Sequence, residues 1–182
     1  MDRKKRINTG KIFEEDFHKS VDDNILLYRL PDSAQSFGKS TVLRFSSKNP
    51  FDYLLWDSIS LTLYALELKT VKGKSISFER EQTDKGKIHY HQIQGLNDWN
   101  RYNGIICGFI ISFRELDSTV FIEISQFNRL MSSISKKSFT LQDLIENQID
   151  YITIQGTKKK TRYSYDVRRF IDQSSFLSKI SK

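Results

Sequence analysis

The most apolar run of the chain, residues 104–113, constrains the fold more than any other segment. Ser112 is its only hydrophilic side chain. The run is about half as long as the roughly 18 apolar residues that a membrane-spanning helix needs, so it does not predict a membrane protein. A continuous apolar segment of this length instead predicts a central β-strand that is buried on both faces.

The segments on either side of this strand predict an α/β fold. Phe13, Phe17 and Val21, spaced four residues apart, predict an amphipathic first helix. The other predicted elements are extended runs at 25–30 and 41–45, a hairpin of 51–56 and 60–69, a helix at 88–99, a strand at 119–124, short helices at 127–131 and 141–145, and a strand at 151–154. This order describes a mixed central β-sheet flanked by helices, which is compatible with many functions.

Positive charge is concentrated at the two ends of the chain. The net charge is +7, of which residues 1–6 carry +3 and residues 157–182 carry +6, so the middle carries −2. At 182 residues we expect a single domain, 1–182, with a basic N-terminal arm (1–7) and a basic C-terminal tail (157–182). Such ends either bind a polyanion, with nucleic acid the leading choice, or only keep a protein in solution, and charge alone favours neither.

Several classes of function lack support in the sequence. A single cysteine, Cys107, excludes an internal disulfide and zinc-finger ligand sets, and it fits a reducing cytoplasm. Residues 1–10 lack the apolar centre of a signal peptide, so no membrane association is expected. Neither glycine-rich phosphate-binding motif occurs, which argues against a nucleotide cofactor. The histidines, His18, His89 and His91, match no zinc spacing, and the last two should face different sides of a helix.

Two acidic residues and a lysine carry the strongest chemical signal. Fourteen residues separate Asp52 from Glu67, and Lys69 follows two residues later. Side chains two residues apart share one face of a strand, so Glu67 and Lys69 should lie together, with the hairpin bringing Asp52 beside them. Two carboxylates suit a hard cation such as Mg²⁺, and an ammonium can stabilise charge on a phosphate. Most Glu-x-Lys pairs on strands are solvent-facing ion pairs, but this one ends an apolar run in which unpaired charge is unfavourable.

A set of short motifs extends over most of the chain. The motifs are Asn8–Phe17, Asp52 with Glu67–Lys69, His89–Ile93, Phe121–Ile124 with Phe127, Leu141–Glu146, and a basic ending with Tyr165 and Val167. Their content and order resemble the PD-(D/E)xK nucleases, and more narrowly the RecU family of Holliday junction resolvases. The Glu-x-Lys motif alone is weak, whereas several motifs in the right order are specific.

The resemblance implies a fold, an activity and roles for five residues. The fold would be the restriction-endonuclease-like core of the PD-(D/E)xK nucleases, and the activity Mg²⁺-dependent cleavage of branched DNA, with Mn²⁺ as a substitute ion. Asp52, Glu67 and Gln92 would hold the metal, Lys69 would be the catalytic lysine, and Glu14 an auxiliary acid. Symmetric cleavage of a four-way junction needs two active sites related by a two-fold axis, so a homodimer is expected.

The basic ends supply the residues that we expect to bind DNA. They are Arg3, Lys4, Lys5, Arg6, Lys158, Lys159, Lys160, Arg162, Arg168 and Arg169. Basic side chains neutralise phosphates, and an aromatic ring between them can stack on an unpaired base. Tyr163 and Tyr165 fit that second role or, equally well, a place in the core.

Two departures from the family pattern leave the specificity open. Pro50 stands where RecU proteins have a Thr or Ser two residues before the metal-binding Asp, and the span between the first helix and Asp52 is shorter than the family's stalk. A PD-(D/E)xK nuclease of another specificity, such as a restriction-type or recombination-associated enzyme, is one alternative. A non-catalytic DNA-binding or architectural relative is the other.

Overall fold

The computed structural model describes residues 8–31 and 48–180 of the chain, with side chains as far as Phe176. Those residues form five α-helices: α1 (Thr9–His18), α2 (Tyr90–Asn100), α3 (Ile124–Ser133), α4 (Leu141–Glu146) and α5 (Val167–Ile180). They also form ten β-strands: β1 (Ile25–Arg29), β2 (Tyr53–Asp57), β3 (Thr62–Val71), β4 (Ser75–Ser77), β5 (Ile105–Phe113), β6 (Ser118–Glu123), β7 (Ser138–Thr140), β8 (Ile152–Thr153), β9 (Gly156–Lys159) and β10 (Arg162–Tyr165). None of these helices is long and apolar enough to cross a membrane.

Six strands form one mixed sheet in the order β1-β2-β3-β5-β6-β8. Only β3 and β5 run parallel among these neighbours, and the other pairs are antiparallel. The chain passes from β3 to β5 through β4 and α2, and a crossover of this kind is what a parallel pair requires. Two short pairs, β4 with β7 and β9 with β10, lie outside this sheet. The mixed central sheet flanked by helices is therefore confirmed.

Alternating side chains of β5 contribute to two hydrophobic cores, one on each face of the sheet. Cys107, Phe109 and Ile111 pack in a core with residues of α2, α3 and α4. Ile106 and Ile110 belong to a second core with residues of α1 and α5. This arrangement confirms the prediction of a central strand buried on both faces. Burial also raises the pKa of the Cys107 thiol to about 12, as suits a small apolar side chain.

The C-terminal region differs most from the prediction. Where the sequence predicts a basic tail over 157–182, the structure has the hairpin β9-β10 and the helix α5. Val167, Phe170 and Ile171 of α5 are buried, and their spacing of three and four residues is that of an amphipathic helix. Arg168 and Arg169 interrupt this apolar pattern and give the segment the composition of a basic tail. The extended run predicted at 41–45 lies outside the described residues.

Two arginines fix this C-terminal region to the rest of the protein. Arg162 of β10 donates to the buried carboxylate of Asp16 on α1. Arg168 of α5 donates to Asp22 at 2.8 Å and to the fully buried Asp57 of β2 at 2.9 Å. Both partly exposed guanidinium groups are thus paired with carboxylates of the protein itself, and their predicted contact with DNA stays a prediction.

Candidate active site

The hairpin β2-β3 brings three of the predicted residues together. Asp52 stands just before β2, where its N–H donates to the carbonyl of Leu66 at 3.1 Å. Its Oδ2 accepts a hydrogen bond from the N–H of Leu68 at 3.0 Å. The Nζ of Lys69 lies 2.7 Å from the Oε1 of Glu67. The expected convergence of two carboxylates and one ammonium is therefore present.

Helix α2 adds Gln92 to this group. The Nε2 of Gln92 donates to the Oε1 of Glu67, and its Oε1 accepts from the N–H of His89 at 3.0 Å. A backbone N–H can only donate, so this bond orients the amide and directs the Nε2 toward Glu67. Gln92 consequently supports Glu67 with a donor, while the carbonyl oxygen that its predicted metal role requires faces His89.

Glu79, which the sequence motifs do not indicate, holds the start of α2 in place. Its carboxylate accepts from the N–H of Tyr90 at 2.8 Å, the N–H of Gly86 at 3.1 Å and the Nδ1 of His89 at 2.8 Å. Burial raises the pKa of Glu79, but these hydrogen bonds outweigh burial and the pKa is lowered overall. An ionised carboxylate at a helix N-terminus is also favourable for the helix dipole. Because Gln92 lies in the first turn of α2, Glu79 helps to position it.

Close packing between α2 and the segment before β2 depends on Gly95. A Cβ atom at Gly95 would lie 2.4 Å from the Cβ of Pro50 and 2.8 Å from its carbonyl oxygen. Both distances are far inside van der Waals contact, so any larger residue would force the helix away from Pro50. The glycine therefore sets the distance between the helix that carries Gln92 and the segment that carries Asp52.

Glu67 is buried without a full set of partners. It is 1% exposed, and burial raises its pKa to about 8, although Lys69 lowers the pKa and Asp52 raises it. Lys69 and Gln92 both contact the Oε1, whereas the Oε2 is buried and has no hydrogen-bond partner among the described residues. A buried carboxylate oxygen in this state is unfavourable, and a positively charged ligand would relieve it.

The donor set fits a magnesium-like cation. Within residues 8–31 and 48–180, no group of three or more His, Cys, Asp and Glu side chains is arranged to hold a metal. Mg²⁺ does not need such a group, because one or two carboxylates usually hold it together with water and substrate phosphates. Asp52 and the Oε2 of Glu67 supply a carboxylate pair of this kind.

The comparisons with known proteins agree with the motifs. Residues 68–164, just over half of the chain, match the model of the family RecU, described as Recombination protein U. The chain belongs to the RecU family. The matched range includes Lys69 and Gln92 and begins directly after Glu67. The family predicted from the motifs is therefore confirmed.

Two individual proteins are similar to this RecU chain. The SPbeta prophage-derived uncharacterized protein YotM of Bacillus subtilis (strain 168) is 31% identical over 172 residues, which cover 87% of this chain and 82% of the relative. Among solved structures, the Holliday junction resolvase Hjc of Archaeoglobus fulgidus is 11% identical. That match covers 66% of this chain and 78% of Hjc, with a TM-score of 0.41.

Glu14, the predicted auxiliary acid of this RecU protein, lies on α1. Its Oε2 accepts from the Nε of Arg29 at 3.2 Å. Arg29 pairs with Tyr53 across the sheet, so Glu14 is at the end of β2 where Asp52 stands. Burial and the nearby charge of Glu14 raise the pKa of Tyr53 to about 12. The role of Glu14 in cleavage stays a prediction.

The two histidines near Gln92 are arranged differently from the prediction. His89 is the N-cap of α2 rather than a residue within the helix. Its ring stacks on that of His91, with centroids 5.5 Å apart and an interplanar angle of 13°. The prediction that they face different sides of a helix is wrong, because only His91 has helical geometry. Burial lowers the pKa of His91, and the positive charges of Lys48 and Lys69 lower it further.

The residues predicted to bind DNA fall into three groups. Exposed side chains on β9, on the turn after it and on α5 form the first: Lys158, Lys159, Lys160 and Arg169. Arg162 and Arg168 form the second, with the ion pairs to α1 and β2. The third, Arg3, Lys4, Lys5 and Arg6, lies outside the described residues.

Of the two tyrosines of β10, Tyr165 is buried and Tyr163 is partly exposed. Tyr165 is 7% exposed and packs in the core beneath α1 and α5. Tyr163 stacks on Tyr165 with an interplanar angle of 16°, and its hydroxyl donates to Asp117 at 2.7 Å. Of the two roles that the sequence left open, the structure favours the core for Tyr165.

Proposed function

We propose that this RecU protein is a divalent-metal-dependent endonuclease that resolves Holliday junctions by paired, symmetric cleavage. The observation that carries the proposal is the incomplete environment of Glu67. One of its oxygens is bound by Lys69 and Gln92, and the other is buried without a partner among the described residues, next to Asp52. Mg²⁺ is the expected ion, and Mn²⁺ should substitute for it.

The proposed reaction gives each side chain a distinct task in hydrolysis. Asp52 and Glu67 would hold the cation, which when bound activates water for attack and neutralises charge on the phosphate. The Lys69 ammonium, which lies 2.7 Å from Glu67, would donate to a phosphate oxygen as negative charge develops on it. Gln92 keeps the Glu67 carboxylate oriented through its Nε2 donor.

Assembly and DNA binding follow from the proposed reaction. Two symmetric cuts need two active sites related by a two-fold axis, so the enzyme would act as a homodimer in the cytoplasm with its DNA. The exposed residues Lys158, Lys159, Lys160 and Arg169 would bind phosphates together with the basic N-terminal arm. Binding should then weaken with salt, with a log-log slope of about −0.9 for each phosphate contacted.

A cleavage assay tests this proposal directly. The substrates are an end-labelled four-way junction and a linear duplex of the same arm sequence, each incubated in Mg²⁺ and in Mn²⁺. Lys69→Ala should retain junction binding and lose cleavage, because it removes the transition-state donor and the ion pair with Glu67 but leaves the exposed basic residues in place. Lys72→Ala is the matched control, since Lys72 is an exposed lysine just beyond the end of β3.

The outcomes separate the candidate functions. Paired nicks in the junction alone, absent with Lys69→Ala and present with Lys72→Ala, would support a resolvase. Cleavage of both substrates would indicate a nuclease of another specificity. Junction binding without cleavage by the unchanged protein would indicate an architectural relative, and full activity of Lys69→Ala would overturn the role of the lysine.

A further inference from the structure

A groove of about 680 Å³ opens beside the first turns of α2. Its walls include Lys48, Pro50 and His91. Pro50 is two residues before Asp52, and His91 directly precedes Gln92. The groove therefore borders the segments that carry Asp52 and Gln92, although neither residue lines it.

Two parallel imidazole rings line this groove. The rings of His89 and His91 are 5.5 Å apart with an angle of 13°, and the His89 side chain is 47% exposed. Glu79 fixes their position, because it accepts from the Nδ1 of His89 and from the N–H of Tyr90, both at 2.8 Å. A flat, pre-ordered and accessible ring surface is suited to stacking against another flat ring, as a nucleobase is.

The charges around the ring pair are compatible with a nucleotide. The Glu79 carboxylate accepts from three internal donors, so its oxygens are engaged within the protein. The Asp98 carboxylate at the groove wall lies 3.8 Å from Arg101. Lys48 and Lys69 carry positive charge close to His91. A phosphate entering between the groove and the active site would therefore meet cations, and its base would meet the rings.

We propose that this groove binds the nucleotide next to the scissile phosphate, with its base stacked on the His89–His91 ring pair. The inference rests on the proposed nuclease function, because a phosphate at Asp52 and Glu67 requires the DNA strand to continue along an adjoining surface. Stacking on protein rings requires a base that has left its own stack. Such a base is most easily released where pairing is interrupted, at the branch point of a junction. The groove would thus contribute to selection of branched over linear DNA.

Junctions that lack one base test the contact. The cut is first mapped with the unchanged protein, and junctions are then made with an abasic site on either side of it. Dissociation constants are measured in Mg²⁺ in the non-cleaving Lys69→Ala background, alone and combined with His91→Ala, His91→Phe or His91→Asn. His18→Ala is the matched control, because His18 is an exposed histidine at the end of α1.

One abasic position should weaken binding by roughly 5- to 150-fold when His91 is present, the range for one base stacked on an aromatic ring. His91→Ala and His91→Asn should weaken binding of the intact junction and reduce the further loss at that abasic site, because only the His89 ring remains. His91→Phe should restore the difference, since it keeps a flat ring. Equal abasic losses with and without a ring at position 91, or a His91→Phe variant as weak as His91→Ala, would overturn the inference while leaving the nuclease intact. Absence of any cleavage by the unchanged protein would instead refute the proposed function, and this inference with it.

Discussion

Two buried carboxylates of the hairpin β2-β3, Asp57 and Glu67, differ in how completely the protein satisfies their hydrogen bonding. Asp57 accepts hydrogen bonds from the N–H of Ser60 and from Arg168, both at 2.9 Å. Glu67 has two donors on one oxygen and, among the described residues, none on the other. Burial raises the pKa of both, but at Asp57 the hydrogen bonds outweigh it and lower the pKa, whereas the pKa of Glu67 is about 8. A carboxylate that the chain satisfies is structural, and one that it leaves incomplete is suited to an external cation.

Glu67→Gln should impair cleavage without destabilising the protein. A neutral amide cannot replace the carboxylate as a metal ligand, so we expect junction cleavage to fall by roughly 100-fold or more. Stability should be unchanged or higher, because an incompletely paired buried charge has been removed. Single-turnover cleavage and urea unfolding at pH 8 measure the two effects. Cleavage at the original rate would show that Glu67 holds no catalytic cation.

Asp57→Asn is the matched substitution at the structural carboxylate, and it should destabilise the protein without impairing cleavage. It removes the charge opposite Arg168, and the loss of one partner from a buried ion pair commonly destabilises a protein by about 3–5 kcal/mol. We expect about 2–3 kcal/mol here, because Arg168 is partly exposed and keeps Asp22 as a partner. Urea unfolding measures the loss, and cleavage per folded molecule should not change. A fully stable variant would contradict the structural role.

The same contrast explains which parts of the site the sequence could predict. The sequence predicts that Glu67 and Lys69 lie together, because the two-residue period of a strand is a local rule. It also predicts Asp52 beside them, because the hairpin that adds Asp52 is short. The partner of Asp57, Arg168, is 111 residues away along the chain, so no local pattern connects them. From the sequence, the charge of Arg168 predicts only that this residue binds DNA.

The fold follows the same division between local pattern and distant contact. The buried strand β5 and the helix α2 were predicted from apolar spacing within one segment. The helix α5 has equally regular spacing at Val167, Phe170 and Ile171, but the surrounding basic residues favoured a tail. Glu79 reaches α2 only because the loop between them folds back, and that path has no sequence signature.

Gly95→Ala should slow cleavage less than Glu67→Gln does, because it changes only the packing around the site. The added Cβ would overlap Pro50, and overpacking of this kind typically destabilises a protein by about 1–3 kcal/mol. Movement of α2 should also slow cleavage, because Gln92 would shift away from Glu67. Urea unfolding and single-turnover rates test both effects, with Ser132→Ala at an exposed position of α3 as the control. Unchanged stability of Gly95→Ala would mean that the helix has room to move.

The pH dependence of stability should give the sharpest view of the contrast. The folded protein holds a proton on Glu67 up to a pKa of about 8, whereas the model value of 4.5 applies to the unfolded chain. The folded state therefore binds more protons between those values, and stability from this group falls as pH rises from about 4.5 to about 8. In chelator-treated protein, the melting temperature of Glu67→Gln should exceed that of the unchanged protein by a margin that widens from pH 5 to pH 8. Each kcal/mol corresponds to about 2–4 °C at this chain length.

Addition of Mg²⁺ or Mn²⁺ should close this margin. A cation that binds only the folded, ionised site stabilises the unchanged protein increasingly as pH rises, because its ligands must be deprotonated. Glu67→Gln should show no such gain, while Asp57→Asn should keep it, since its metal ligands are intact. Parallel melting curves with and without metal, at every pH, would mean that the buried oxygen of Glu67 is not a cation ligand, and that Glu67 and Asp57 differ in hydrogen bonding only.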